Sequence, residues 1–176
     1  MYVESPSGAT KKLVQEIYVL ETMPTVLDYG AGNGRNSKYI IETSASFVIA
    51  YDPYAHAKPL YPILNSMAGA KHVRYDYILC SFVANVLPRE PRESMFEAIS
   101  QLHYDNLIIE VRSRADVEKI VKKTRYSDGY NTSRGTFQKG FEPADIMRMN
   151  DFFGEHGMLW DKRYHAMSFI WREELR

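Results

Sequence analysis

Val26-Leu27-Asp28-Tyr29-Gly30-Ala31-Gly32-Asn33-Gly34-Arg35 carries an apolar stretch that ends in an acid directly into three glycines at alternate positions. Glycine lets a backbone bend tightly and approach a ligand with no Cβ in the way. A second short apolar stretch, Phe47-Val48-Ile49-Ala50-Tyr51, ends in Asp52, eighteen residues beyond Gly34. Strand, glycine turn, helix, strand, acid is the order of a Rossmann-type nucleotide pocket. The intervening helix, carrying Ser37, Ile40 and Ile41, starts at the glycine loop, so its first amides point at the ligand.

The glycines run G-x-G-x-G with an acid two residues before the first, which is not the G-x-G-x-x-G of a dinucleotide site. This spacing resembles motif I of the class I S-adenosylmethionine-dependent methyltransferases. The resemblance implies S-adenosyl-L-methionine as cofactor, its methionine portion cradled by the loop and its ribose hydroxyls held by the acid after the second strand. By that resemblance, Asp28, Gly30, Gly32, Gly34 and Asp52 would carry those roles. The chemistry agrees, because a ribose edge needs a two-oxygen acceptor and a sulfonium tolerates a nearby carboxylate. Cys80-Ser81-Phe82-Val83-Ala84-Asn85-Val86-Leu87-Pro88 stands where that family keeps the loop lining the methyl-transfer centre, which makes Ser81 and Phe82 candidate cofactor contacts. Phe82 suits a core position equally. Cys80 lacks the Pro-Cys dipeptide of the cytosine-C5 enzymes and reads as a small buried hydrophobe.

Composition bounds the rest. With 176 residues, 45% of them hydrophobic, the chain is expected to form one domain spanning residues 1–176. It has no run of eighteen apolar residues and no secretory h-region at Met1–Gly8, so no membrane association is expected and the expected location is cytoplasmic. A single cysteine excludes an internal disulfide, and five scattered histidines give no metal-ligand spacing, so no metal is expected. Net charge is zero, yet Arg112–Lys139 holds eight Lys or Arg against three Asp or Glu. That excess permits a polyanionic partner. Lys119, Lys122, Lys123 and Arg125 also suit the solvated face of a helix.

Helical spacing of Leu13, Ile17 and Leu20 predicts a helix over Lys11–Met23, stopped by Pro24. Only 24 residues separate Asp52 from the strand Tyr77–Cys80, and Pro53, Pro59 and Pro62 interrupt them, so the third strand is reduced; Lys71–Arg74 is its candidate. A helix after Pro88 with Met95, Ala98, Ile99 and Leu102 on one face leads into the buried strand Leu107–Val111. Ser113, three residues before Asp116, caps a helix that buries Val117, Ile120 and Val121; a polar segment, Thr124–Gly140, follows. A last helix opens at Pro143 with Ile146, Met149 and Phe153 inward, and the runs Met158–Tyr164 and Met167–Arg172 form a hairpin. The expected fold is α/β and Rossmann-like. It has a mostly parallel sheet with helices on both faces, a C-terminal antiparallel hairpin and a reduced third strand.

Ser127-Asp128-Gly129-Tyr130-Asn131-Thr132-Ser133-Arg134-Gly135-Thr136-Phe137-Gln138-Lys139 is rich in specific polar types for a connector. It resembles the D-G-x-x-T-x-R-G-T-F-Q-K signature of methyltransferases found beside DNA phosphorothioation systems. Those proteins are also similar in V-L-D-Y-G, in Tyr51-Asp52-Pro53-Tyr54 and in Asn85-Val86. The resemblance implies nucleic acid, DNA in particular, as acceptor, with Arg134, Gln138 and Lys139 holding a phosphate and Phe137 stacking on a base. Phe137 anchoring the loop, with Arg134 paired to Asp128, is the structural alternative. This chain is shorter than those relatives, so a protein partner supplying target recognition is expected; it also lacks the (D/N/S)-P-P-(Y/F) motif that amino-methyltransferases use to hold a flipped base, which argues against N-methylation of a base. Asp76 is the candidate for an acid near the adenine. Glu110, ending the fifth strand, is the candidate general base, or a carboxylate paired with Arg112 or Arg114. A small-molecule or protein methyltransferase, and a non-catalytic cofactor-binding subunit, are the other readings.

Overall fold

The computed structural model describes residues 5–20, 23–54, 57–120, 125–126, 128–132, 135–155, 157–161 and 166–172. The chain divides into two units, Met1–Ser81 with Leu102–Ile108, and Phe82–Gln101 with Ile109–Arg176.

The first unit contains α1 (Gly8–Leu20), β1 (Thr25–Tyr29), α2 (Arg35–Thr43), β2 (Phe47–Tyr51), β3 (Ile63–Leu64), β4 (Arg74–Ser81) and the first residues of β5 (His103–Arg112). Parallel pairing sets Val26 against Val48 and Leu27 against Ile49 on one side of β1, and Leu27 against Ile78 on the other. Val26, Leu27, Ile78 and Leu79 are fully buried, as an apolar run flanked by strands on both sides requires. This pairing carries Asp28 and Asp52 to the carboxyl ends of adjacent strands.

Three expectations are corrected here. The first helix begins at Gly8 rather than Lys11, because the Ser7 hydroxyl accepts the Thr10 amide at 3.2 Å and the Ser7 carbonyl accepts the Lys11 amide at 3.2 Å. Ser7→Ala is therefore expected to cost about 1 kcal/mol of stability, read as a lower urea midpoint with an unchanged slope. The reduced third strand is Ile63–Leu64, pairing with Ala50 and Tyr51, and not Lys71–Arg74. Residues 71–73 are a turn and bend that leads into β4. Asp76 accepts the Thr25 amide at 2.7 Å and so fastens the amino end of β1, away from the strand ends where a nucleotide sits.

The second unit contains α3 (Val83–Val86), α4 (Arg89–Ser100), the end of β5, α5 (Arg114–Ile120), β6 (Arg125–Tyr126), β7 (Gly129–Asn131), β8 (Phe137–Gln138), α6 (Pro143–Phe153), β9 (Gly157–Asp161) and β10 (Ala166–Arg172). Ser113 caps α5, its hydroxyl bonded to the Asp116 carboxylate and accepting the Asp116 amide. Glu142 and Asp145 form a reciprocal capping box at α6. The inward face of α4 is Arg92, Met95, Phe96 and Ile99; Ala98 faces solvent, a correction that places a charged residue among apolar ones. Phe96, Phe153 and Trp171 pack with ring centroids 5.7 and 5.3 Å apart, and the Trp171 indole N–H donates to Asn150 and Gly154.

The polar segment after α5 is more than a connector, since β6, β7 and β8 form a small antiparallel sheet. Gly129 is glycine because the Phe137 ring lies on it: a Cβ there would stand 2.5 Å from the ring. β9 and β10 pair antiparallel, Met167 against Trp160 and Phe169 against Met158. The order in the large sheet is β3-β2-β1-β4-β5-β10-β9, the mostly parallel architecture with a terminal hairpin expected from the sequence. Ile120, Val121 and Tyr164 lie outside the side chains or residues described. Among the described residues no helix is long and apolar enough to cross a membrane, and no acid, histidine and cysteine cluster could hold a metal.

Candidate cofactor site

Gly30, Gly32 and Gly34 all take positive φ, at 74°, 60° and 80°. The loop hooks over the end of β2, where the Tyr51 carbonyl accepts the amides of Gly30 at 2.7 Å and Ala31 at 2.9 Å. Gly34 caps α2 in the left-handed region, and a Cβ on it would meet the Tyr61 Cβ at 2.9 Å. Gly32 differs, with no atom within 4 Å of a would-be Cβ. At Gly32, then, the backbone is left open for a ligand to approach.

Asp52 is 8% exposed, its two oxygens accepting the amides of Gly32 and Tyr54, each at 2.9 Å. The Asp52 amide donates to Leu64 at 3.0 Å and its carbonyl accepts Asn65 at 2.8 Å, so the short β3 fixes the backbone of this acid.

Asp28 is 1% exposed. One oxygen accepts the Ser37 hydroxyl at 2.6 Å; the other, Oδ1, is buried with no hydrogen-bond partner among the described residues. Burial pushes its carboxyl from 3.8 up to about 6, against the opposing pull of the Ser37 hydroxyl and amide and the Arg35 charge. Nε of Arg35 is likewise buried and unpartnered among those residues. An orphaned acceptor and an orphaned cationic donor beside one glycine loop suit a zwitterion. The amino-acid end of S-adenosyl-L-methionine is one, and Asp28 and Arg35 are residues that could hold it. Arg35 was not among the residues singled out in the sequence. The available signal was a cation in the first turn of a helix, where the dipole disfavours it.

Ser81 ends β4, half-buried, and Cys80 is fully buried with its thiol pushed up by desolvation, as a packing cysteine should be. In the second unit Phe82 is the one non-glycine residue of positive φ among those described, at 61°. Its amide donates to the Glu110 carbonyl at 2.9 Å and the Arg112 guanidinium lies 4.9 Å over its ring. Backbone strain of this kind persists where the surroundings fix it, often at functional sites. Glu110 is 0% exposed. Arg114 pairs with Glu118 and Glu142.

The segment expected to hold substrate is itself tied down. Lys139 reaches Asp145 at 3.0 Å and Asp128 at 3.4 Å, and Asp128 takes both its oxygens to Arg92 at 2.9 and 3.0 Å. Asn85 accepts the Arg112 amide at 3.0 Å and donates to the Lys139 carbonyl at 2.5 Å, while its own carbonyl accepts the Lys139 amide. Phe137 and Gln138 are half-buried in β8, and Arg134 lies outside the described residues. Arg92 and Asp128 are 36 residues apart in the chain, so no local pattern signalled this network.

No protein-family model matches the chain, and no curated protein matches it in sequence. Solved structures do. The 1,6-didemethyltoxoflavin-N1-methyltransferase of Burkholderia thailandensis, solved with its substrate and S-adenosylhomocysteine, superposes with TM-score 0.65 and 15% identity over 94% of this chain and 78% of that one. Magnesium protoporphyrin IX methyltransferase of Synechocystis PCC 6803 gives 0.58 and 15% over 92% and 76%. An S-adenosylmethionine-dependent methyltransferase of Archaeoglobus fulgidus gives 0.63 and 14% over 94% and 93%. With the strand order and the glycine loop at the carboxyl end of β1, these superpositions establish that the chain has the fold of the class I S-adenosylmethionine-dependent methyltransferases.

Proposed function

We propose that the chain is an S-adenosyl-L-methionine-dependent methyltransferase of the kind found beside DNA phosphorothioation systems, a DNA modification enzyme that acts on nucleic acid. The observation that carries methyl transfer is the glycine loop flanked by the unpartnered buried Asp28 Oδ1 and Arg35 Nε. When bound, the cofactor supplies a methyl group on a sulfonium whose leaving group is already activated. The chain's own residues then have two tasks. Asp28, Arg35, Gly32 and Asp52 hold the cofactor in one pose, and the strand ends align the acceptor with it. A base helps only where the acceptor must lose a proton. Glu110 is assigned that role, and Glu110→Gln is expected to slow transfer to such an acceptor while leaving S-adenosylhomocysteine affinity unchanged, as measured by calorimetry beside a turnover assay.

Support for nucleic acid comes from the sequence likeness of Ser127–Lys139, Tyr51–Tyr54 and Asn85–Val86. A small-molecule acceptor is the second reading, favoured by the solved neighbours, whose names include toxoflavin and porphyrin methyltransferases. Target recognition by a partner protein accompanies the first reading. Transfer of radiolabelled methyl to single-stranded DNA, duplex DNA, RNA and a panel of heteroaromatic metabolites separates them. Label in DNA supports the proposal; label confined to metabolites replaces it with the second reading.

A further inference from the structure

Two adjoining cavities in the second unit share Arg89 and Asp128 in their walls. The larger, about 510 Å³, lies between the start of α4 and the small sheet, with Pro88, Pro91 and Phe137 as apolar walls and Asn131 beside them. The smaller, about 240 Å³, has Phe141 and Phe152 among its apolar walls and four cations, Arg89, Arg92, Lys139 and Arg148, around it. Three acids, Glu93, Asp128 and Asp145, offset them. Arg92 and Lys139 are consumed by Asp128 and Asp145, and Arg89 is held by Glu93 at 2.9 Å. Arg148, exposed on α6, forms no ion pair among the described residues, so the smaller cavity keeps one uncompensated positive charge.

We infer that these cavities together bind one unpaired nucleotide, the base in the larger and the phosphate at Arg148 in the smaller. This deepens the reading of the chain as a nucleic-acid methyltransferase and rests on it for the role of the nucleotide as acceptor. The Phe137 ring lies on Gly129 and also lines the larger cavity, so a flat, rigid surface is presented to a ligand. Two proline rings, Pro88 just before α4 and Pro91 in its first turn, line the same space beside the longer side chains of Arg89 and Glu90. A cavity of roughly 150 Å³ takes a benzene ring; at about 510 Å³ this one has room for a base with its sugar. Asn131 offers hydrogen-bonding groups for the edge of a base. A plain aromatic acid would fill one cavity and leave the other empty, whereas a nucleotide spans both.

The test titrates the full chain with deoxynucleoside monophosphates, with the matching nucleosides, and with a short single-stranded oligonucleotide, by calorimetry. Saturable binding of the monophosphates is expected, weakened roughly tenfold or more in Phe137→Ala. Phe137→Leu, which keeps the packing on Gly129 but loses the ring face, should weaken binding in the same direction. Arg148→Ala should bring monophosphate affinity toward that of the nucleoside. An oligonucleotide that binds more tightly than the monophosphate assigns the site to a nucleotide within a strand; equal affinity assigns it to a free nucleotide. The inference is overturned if no nucleotide binds to protein with an intact unfolding transition, or if Phe137→Leu and Arg148→Ala bind as wild type. S-adenosylhomocysteine is titrated in parallel. Nucleotide binding without it defeats the methyltransferase reading and leaves the pocket standing.

Discussion

Asp28→Asn is expected to remove a downward slope of stability with pH and to cost most of the cofactor affinity. The wild-type carboxyl rises from 3.8 to about 6 on folding because burial disfavours its charge. Between those values the folded chain holds a proton that the unfolded chain has released. The contribution is therefore fully present below pH 3.8 and is lost as pH rises through about 6. At about 1.4 kcal/mol per pH unit the interval corresponds to roughly 3 kcal/mol. Other carboxylates contribute slopes of their own, so the quantity to compare is wild type minus Asp28→Asn in urea unfolding from pH 4 to pH 7.5. That difference should fall with pH; a flat difference would show Asp28 to be solvated.

Cofactor binding runs the opposite way, because a ligand cation at Oδ1 favours the ionised form. Affinity for S-adenosylhomocysteine should strengthen as pH rises through about 6, and Asp28→Asn should lose roughly thirtyfold at pH 7.5, as for removal of one partner of a buried charge pair. The same substitution thus relieves folding and damages binding, a combination that a purely structural acid would not produce.

Arg92→Ala carries the other large effect. The Arg92 side chain is 7% exposed, holds Asp128 through both carboxylate oxygens and donates to the Leu87 carbonyl at 2.9 Å. Removing it leaves Asp128 to Lys139 alone. Breaking a buried pair costs about 3 to 5 kcal/mol, and the remaining cation places the expected loss near the lower end, about 3 kcal/mol. For a chain of this size that lowers Tm by about 10 °C. Amide exchange should accelerate at Gly129–Asn131, the strand that follows Asp128. Arg92→Lys should recover only part of the loss, since an ammonium cannot make the bidentate contact. Unchanged Tm and exchange would remove Arg92 and Asp128 as the fastening of this segment.

The glycine loop and the polar segment after α5 differ in how far the sequence exposes them. The glycine loop was legible because its geometry is local: three left-handed residues at Gly30, Gly32 and Gly34 demand glycine, and the acids at Asp28 and Asp52 follow from strand length. The hairpin at the carboxyl end and the cap at Ser113 were legible for the same reason. The third strand was misplaced because two residues, Ile63 and Leu64, give no periodicity to read. The helix start at Ser7 was missed because its signal is a hydroxyl three residues ahead of Thr10, outside the apolar pattern. Lys139 read as a phosphate ligand, while its contacts are with Asp128 and Asp145, partners that only tertiary structure brings together.

Calorimetric titration of the chain with S-adenosylmethionine and S-adenosylhomocysteine, wild type beside Asp52→Ala, tests whether the glycine loop and Asp52 form an S-adenosylmethionine site. Saturable one-to-one binding by wild type, lost in Asp52→Ala at matched unfolding midpoints, is the predicted result. Absence of binding by folded wild type, or equal binding by the variant, would contradict it.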